Sequence, residues 1–239
     1  MIGPCMHKPA NMRCVTCIMD TSSFFSNLSI DAKRGLQAHL QLKSISKNEL
    51  LYKEGDACKH LFILVAGEVK VYKSLINGKH QIHKLAQIPG DIIACEDMFM
   101  NAHGSSAQAL TDVTVCYLKR SELQQCATAN REITDTLMFS MSHNLNLYIK
   151  HIANLGQKNA LERVASYLVF LHETHNKRNL DNSFLQDSLS RIELADMLGI
   201  TQRTLIRSLK KLESDQLIQL TRNGFMIHDM DTLTEIGCG

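Results

Sequence analysis

The residues best equipped for chemistry are cysteines near one end of the chain and a row of hydrogen-bond donors near the other. Cys14 and Cys17 stand two residues apart in a stretch of small and polar residues, with Cys5 upstream. The chain holds eight cysteines, and its N-terminus, MIGPCMHKPANMRC, lacks the apolar core of a signal peptide, so a cytoplasmic location is expected. Clustered thiols in such a compartment suit metal binding or redox chemistry better than a disulfide framework. On the residues alone, a metal site and a thiol pair that oxidises to a disulfide both stay open. Cys58, Cys95, Cys126 and Cys238 are scattered and read as ordinary small residues. The chain also holds eleven histidines. His80 and His83 have an odd spacing that puts them on opposite faces of a strand, and His143 and His151 are isolated on a helix.

Near the other end, Thr201, Gln202, Arg203, Thr204, Arg207 and Lys210 precede the first acid of their segment, Glu213. These are donors suited to base edges and phosphates. The elements that must position them are legible. Ile192, Leu194, Ala195 and Leu198 form the apolar face of a short helix. Gly199 is placed to end it in the left-handed conformation. Thr201 is placed to cap a second helix, whose inward stripe is Leu205, Leu209 and Leu212. A hairpin from Leu217 to Ile227, with Asn223-Gly224 at its tip, would form a wing. An ordinary helical hairpin with a solvated basic face is the plainer alternative, and the wing argues against it.

Upstream, residues 43–123 alternate short apolar runs with turn residues such as Gly55-Asp56, Asn77-Gly78 and Pro89-Gly90-Asp91. That texture fits an antiparallel barrel or jelly roll. Ile133, Leu137, Met141, Leu145, Tyr148, Ile152 and Leu155 then recur at helical spacing without an intervening acid on the stripe, a pattern suited to pairing with a second helix. Gly156 is the expected stop. The expected class is α+β, divided as a cysteine-bearing tail (1–23), a β-roll (24–128), a long helix (129–156) and a winged helix-turn-helix (157–239). Charged residues make up 21% of the chain and the net charge is +2, so DNA affinity must come from local clustering. No apolar run approaches the ~20 residues needed to span a bilayer, so no membrane partner is expected. No phosphate loop, carboxylate motif or nucleophile elbow points to an enzyme.

In this order, LYKEGDACKHLFILVAGEVKVY, PGDIIACEDMF, SSAQALTDVTVC, QKNALERVASYL and LADMLGITQRTLIRSLKKLE resemble the cyclic-AMP-receptor/fumarate-nitrate-reduction (CRP/FNR) family of bacterial transcription regulators over nearly the whole chain. The resemblance implies a jelly-roll sensor (cyclic-nucleotide-binding-like), a dimerising helix and a winged helix. It also implies a homodimer on a two-fold symmetric, palindromic DNA operator, in contact with RNA polymerase as activator or repressor. The seam would comprise Ile133, Leu137, Met141, Leu145, Tyr148 and Ile152, and Arg207 matches the arginine that family members aim into the major groove. In FNR-like oxygen sensors, N-terminal cysteines and one in the last strand hold an iron–sulfur cluster. Cys14, Cys17 and Cys116 follow that pattern, Ser23 replaces the remaining ligand, and Cys5 is the substitute. A [4Fe-4S] cluster on Cys5, Cys14, Cys17 and Cys116 is therefore expected, with zinc, thiol oxidation, haem or another small ligand as alternatives. No cyclic nucleotide is expected. Cys95 stands where cyclic-AMP-binding members resemble one another in a glutamate, and Ser105-Ser106 replaces the Arg-Ser pair that holds the phosphate. Arg203 replaces the glutamate with which FNR-like members read a base, so the half-site should differ from the usual one.

Overall fold

The computed structural model describes residues 25, 28–76, 78–178, 180 and 184–238. Cys5, Cys14, Cys17 and Asn77 lie outside them. The described chain forms two compact units, one holding the residues up to Lys73 together with Lys84–Leu147, the other Ser74–His83 with the residues from Tyr148 onward.

Helix α1 (Ile30–Gln37) is capped by Ser29, whose side chain accepts from the Ala32 N–H. Eight strands follow: β1 (Gln41–Ile45), β2 (Leu50–Tyr52), β3 (His60–Ala66), β4 (Val69–Ser74), β5 (His80–Ala86), β6 (Ile92–Ile93), β7 (Ser106–Ala109) and β8 (Val113–Lys119). They make two sheets of order β1-β8-β3-β6 and β2-β7-β4-β5. The side-chain period of two sorts each strand between two cores. Phe62 and Leu64 of β3, with Val113 and Val115 of β8, share one cluster with Ile45, Val71, Ile93 and Ala107. Leu61 and Ile63, with Cys116 and Leu118, point the other way and pack with Phe25, Leu36 and Leu123. At the β3–β4 turn, Gly67 has φ +88°, and a Cβ there would lie 2.4 Å from the Asp112 carbonyl oxygen, so only glycine fits.

Helix α2 (Arg120–Ala129) leads into the long helix α3 (Arg131–Gln157). Two expectations are corrected here. Gly156 does not stop α3, which runs one residue further to Gln157. The break is instead set by the next helix, α4 (Ala160–Lys177), where Asn159 and Glu162 form a reciprocal capping box. Second, the expected seam is not one face. Ile133 and Leu137 are only 1% and 7% exposed, buried in the chain's own core, with Met141 packed against the same cluster. Leu145 and Ile152 are 59% and 66% exposed. Each i+4 step turns about 40° around the helix, so three in succession carry the stripe about 120° from the inner face to the outer.

In the second unit, α4 is followed by β9 (Leu185–Gln186), α5 (Arg191–Leu198), α6 (Gln202–Ser214), β10 (Ile218–Leu220), β11 (Gly224–Ile227) and α7 (Met230–Cys238). The three strands pair antiparallel in the order β10-β11-β9. Gly224 is obligatory at this sheet, because a Cβ would fall 2.0 Å from the Leu185 carbonyl oxygen. Among the described residues no helix is long and apolar enough to cross a membrane.

Candidate nucleic-acid interface and sensor residues

The candidate interface is built on α5 and α6. Ser190 and Glu193 form a capping box at the start of α5, and Gly199 closes it at φ 63°, ψ 35°. Thr201 caps α6 by accepting from the Thr204 N–H at 3.1 Å, and the two hydroxyls lie 2.9 Å apart. Thr201 and the half-buried Thr204 are therefore committed first to fixing the helix start. Leu205, Ser208, Leu209 and Leu212 are buried, while Gln202, Arg203, Arg207 and Lys210 are exposed. α6 thus presents two guanidiniums, an amide and an ammonium to solvent from a helix locked on its opposite face.

Three supporting residues were missed by the sequence reading. Arg191 stacks its guanidinium 4.8 Å from the centroid of the Phe225 ring, joining α5 to the wing strand β11. Arg163 donates to the carbonyls of Leu155 (2.6 Å), Lys158 (2.9 Å) and Leu198 (3.0 Å). It thereby satisfies orphan carbonyls at the ends of both α3 and α5 with one cation. Their only sequence signal was a cation near a helix end. Ile206 is 41% exposed on α6 between Arg203 and Lys210; it interrupts the polar face, which was the signal available. Ile192, expected inward, is 60% exposed.

In the first unit, a polar node lies where β5, the short turn Cys95–Asp97 and α3 meet. Asn144 is 8% exposed, and its amide donates to Cys95 Sγ at 3.1 Å and Glu96 Oε1 at 2.9 Å. Lys84 Nζ donates to Glu96 Oε1 at 3.0 Å and to the Ile92 carbonyl at 2.8 Å. Burial, reinforced by the Glu96 charge, pushes the Cys95 thiol up to about 12. Burial likewise raises the thiols of Cys58 and Cys126. These three are poor nucleophiles, consistent with an ordinary packing role. The Tyr52 phenol is raised by burial and then by Glu96 and Asp97, and its ring stacks on His103 at 3.8 Å. His103 Nδ1 lies 3.0 Å from Asp97 Oδ2. Ser106 Oγ accepts from the Glu54 N–H at 2.9 Å.

Cys116 is fully buried on β8, in the cluster that holds Phe25, Leu28, Leu36, Ile133 and Leu137. Among the described residues no group of three or more His, Cys, Asp or Glu is arranged to hold a metal. Tyr148 packs edge-on against the His83 ring at 5.6 Å.

Residues 42–130 match the cyclic nucleotide-binding domain model and residues 162–236 the Crp-like helix-turn-helix domain model. The chain is 27% identical over 194 residues to the anaerobic regulatory protein of Pasteurella multocida, covering 81% of this chain and 71% of that one. It is 26% identical over 219 residues to electron transport regulator A of Shewanella oneidensis, covering 91% and 87% respectively. The solved structure of FixK2 from Bradyrhizobium japonicum superposes with a TM-score of 0.75 at 26% identity, over 82% of this chain and 96% of that one. A β-roll of this topology, a long helix and a capped, winged helix-turn-helix thus come with two matching domain models, and the chain belongs to the CRP/FNR family of DNA-binding transcription regulators, which are not enzymes.

Proposed function

We propose that the protein acts as a two-fold symmetric dimer that reads a palindromic operator through α6 and changes its DNA affinity with oxygen or redox state. The observation that carries this is the exposed donor face of α6, held by a capped turn and a wing. Arg203 and Arg207 lie one turn apart and reach base edges. Gln202 and Lys210 flank them, and Thr201 and Thr204 fix the helix end that meets the groove. Half-sites would lie about 34 Å apart.

The seam we assign is the outer stripe of α3. Met138, Leu145, Ile149 and Ile152 are 62%, 59%, 54% and 66% exposed, and with Ser142 they repeat at spacings of four, three, four and three. That is the heptad pattern of a helix paired with its own copy. Contact with RNA polymerase follows from the family.

For redox control, one proposed ligand, Cys116, lies among the described residues. Cys116 is enclosed by apolar side chains, including Phe25, which is only eight residues beyond Cys17. Such a shell shields a metal centre from solvent. An enclosed thiol is also a poor target for direct oxidation, which favours cluster ligation over a thiol switch at this position. An iron–sulfur cluster on Cys5, Cys14, Cys17 and Cys116 would supply a redox-active, oxygen-labile tie between the N-terminal segment and β8. Because Cys116 shares its core with Ile133 and Leu137, what packs around it bears on the first turns of α3. The names of the relatives, an anaerobic regulatory protein and an electron transport regulator, support this direction. Cyclic nucleotides are not the ligand on this reading. The node carries Glu96 and Asp97 rather than an arginine, and its one lysine, Lys84, is already paired with Glu96.

The test is anaerobic purification with iron and sulfide analysis, alongside operator selection from random DNA. Arg207→Ala should weaken operator binding by about 1–3 kcal/mol and relax specificity at one base pair. Serine at Cys5, Cys14, Cys17 or Cys116 should remove iron, whereas serine at Cys58, Cys95, Cys126 or Cys238 should not. Colourless, iron-free protein that binds DNA equally with and without air would refute the sensing mechanism. Unchanged selectivity in Arg207→Ala would refute the base-reading role.

A further inference from the structure

Ile206 is the one residue on the donor face of α6 that has nothing to donate. Its neighbours one turn away are Gln202, Arg203 and Lys210, and Arg207 is adjacent. The inward positions are filled by Leu205 and Leu209, buried to 0% and 2% exposure, whereas Ile206 stays 41% exposed. Folding therefore leaves much of its apolar surface in water. Nor does local propensity account for it, because a β-branched residue is a weaker helix former than glutamine, lysine or arginine at an exposed site. A lone exposed aliphatic is ordinary on a protein surface. This one stands among the side chains that would face base edges.

We infer that Ile206 is a specificity-determining residue that packs against the C5-methyl group of a thymine in the major groove, beside the bases read by Arg203 and Arg207. This rests on the reading of α6 as the base-contacting helix. The chemistry is selective, because in the major groove only thymine among the four bases presents a methyl group. Cytosine offers an amino donor on the same edge, which an aliphatic side chain leaves unsatisfied while stripping its water. The branched Cβ limits Ile206 to few rotamers, so little freedom is lost when it packs.

The test uses the full-length protein under whichever redox condition binds DNA more tightly. An operator is first selected from random sequence with wild-type protein. Each thymine in the half-sites is then replaced singly by deoxyuridine, which keeps base pairing and removes only the methyl. At one thymine position per half-site, loss of the methyl should weaken wild-type binding about fourfold. That penalty should vanish in Ile206→Ser and persist in Ile206→Val, which keeps the branched contact. Circular dichroism should match wild type for both variants, since the position is not part of the core. If every uracil substitution were tolerated within error, or if the penalty were unchanged in Ile206→Ser, the thymine contact would be overturned while base reading by α6 stood. Failure of the wild type to select any site would overturn the reading of α6 itself, and this inference with it.

Discussion

Substituting aspartate at Leu145 or Ile152 separates the outer stripe of α3 from the inner one. A fully buried Leu or Ile contributes about 1.5–3 kcal/mol relative to exposure. With 59% and 66% of these residues still exposed in the protomer, pairing with a copy would add about 1–2 kcal/mol per side chain. Two-fold symmetry doubles this to about 2–4 kcal/mol per substitution. An aspartate there also brings its carboxylate against its own copy out of water, which costs a further 2 kcal/mol or so. The sum, about 4–6 kcal/mol, weakens the dimer by about three to four orders of magnitude. Sedimentation velocity over a dilution series reads this directly, and DNA affinity should fall with it. Leu137→Ala is the control. It opens the protomer's own core at a residue only 7% exposed, so it should cost about 2–5 kcal/mol of folding stability and leave association intact. Dimers that survive in both aspartate variants, or dissociation in Leu137→Ala without a fall in Tm, would refute the division of α3 into two faces.

Gly224→Ala forces a methyl within 2.0 Å of the Leu185 carbonyl oxygen. It should separate β9 from β11, lower stability by about 1–3 kcal/mol and weaken DNA binding; an unchanged melting curve would contradict the close approach. Arg163→Met removes one cation from the carbonyls of Leu155, Lys158 and Leu198 and should cost about 2–3 kcal/mol, read as a lower denaturation midpoint. Burial holds the His151 imidazole below its usual 6.5, a hydrogen bond to the Ile82 backbone opposing. The neutral form is thus favoured by the fold, and its contribution is complete above 6.5 and lost as pH falls through the lowered folded value. Thermal melts stepped down from neutral pH should show a steeper loss for wild type than for His151→Gln, and identical slopes would remove His151 from the account.

Local signals were the most legible part of this chain. Gly199 and Thr201 each act where residue type alone placed them, because a helix stop or cap needs one residue and its neighbouring backbone. The α+β class was legible for a similar reason: glycine turns and alternating strands are written within a few residues. The long helix was harder. Apolar type does not distinguish a side chain that meets its own barrel from one that meets a second copy, so Ile133 and Leu145 looked like one stripe. Gly156 misled because it does not adopt the left-handed conformation of a stop and stays in the last turn of α3, while the cap at Asn159 opens the next helix just beyond. The node of Lys84, Glu96 and Asn144 had no sequence signal, since Asn144 and Glu96 are 48 positions apart and meet only after folding. Cys116 was singled out as a candidate ligand through resemblance alone, and its enclosure in a core was not legible.

The doubly apolar character of α3 also governs how this helix can change. An inner file of Ile133, Leu137 and Asn144 is fixed by the barrel, and an outer file of Met138, Leu145, Ile149 and Ile152 by the copy we assign to it. Between them runs a strip of exposed positions, His143, Asn146, Lys150 and Ala153. In a saturation scan of the helix, that strip should be where most substitutions pass. The two files should fail for different reasons, the inner through loss of soluble protein and the outer through loss of repression or activation by protein that is still folded. Drift in sequence over time is then channelled along one narrow track of an otherwise two-sided helix.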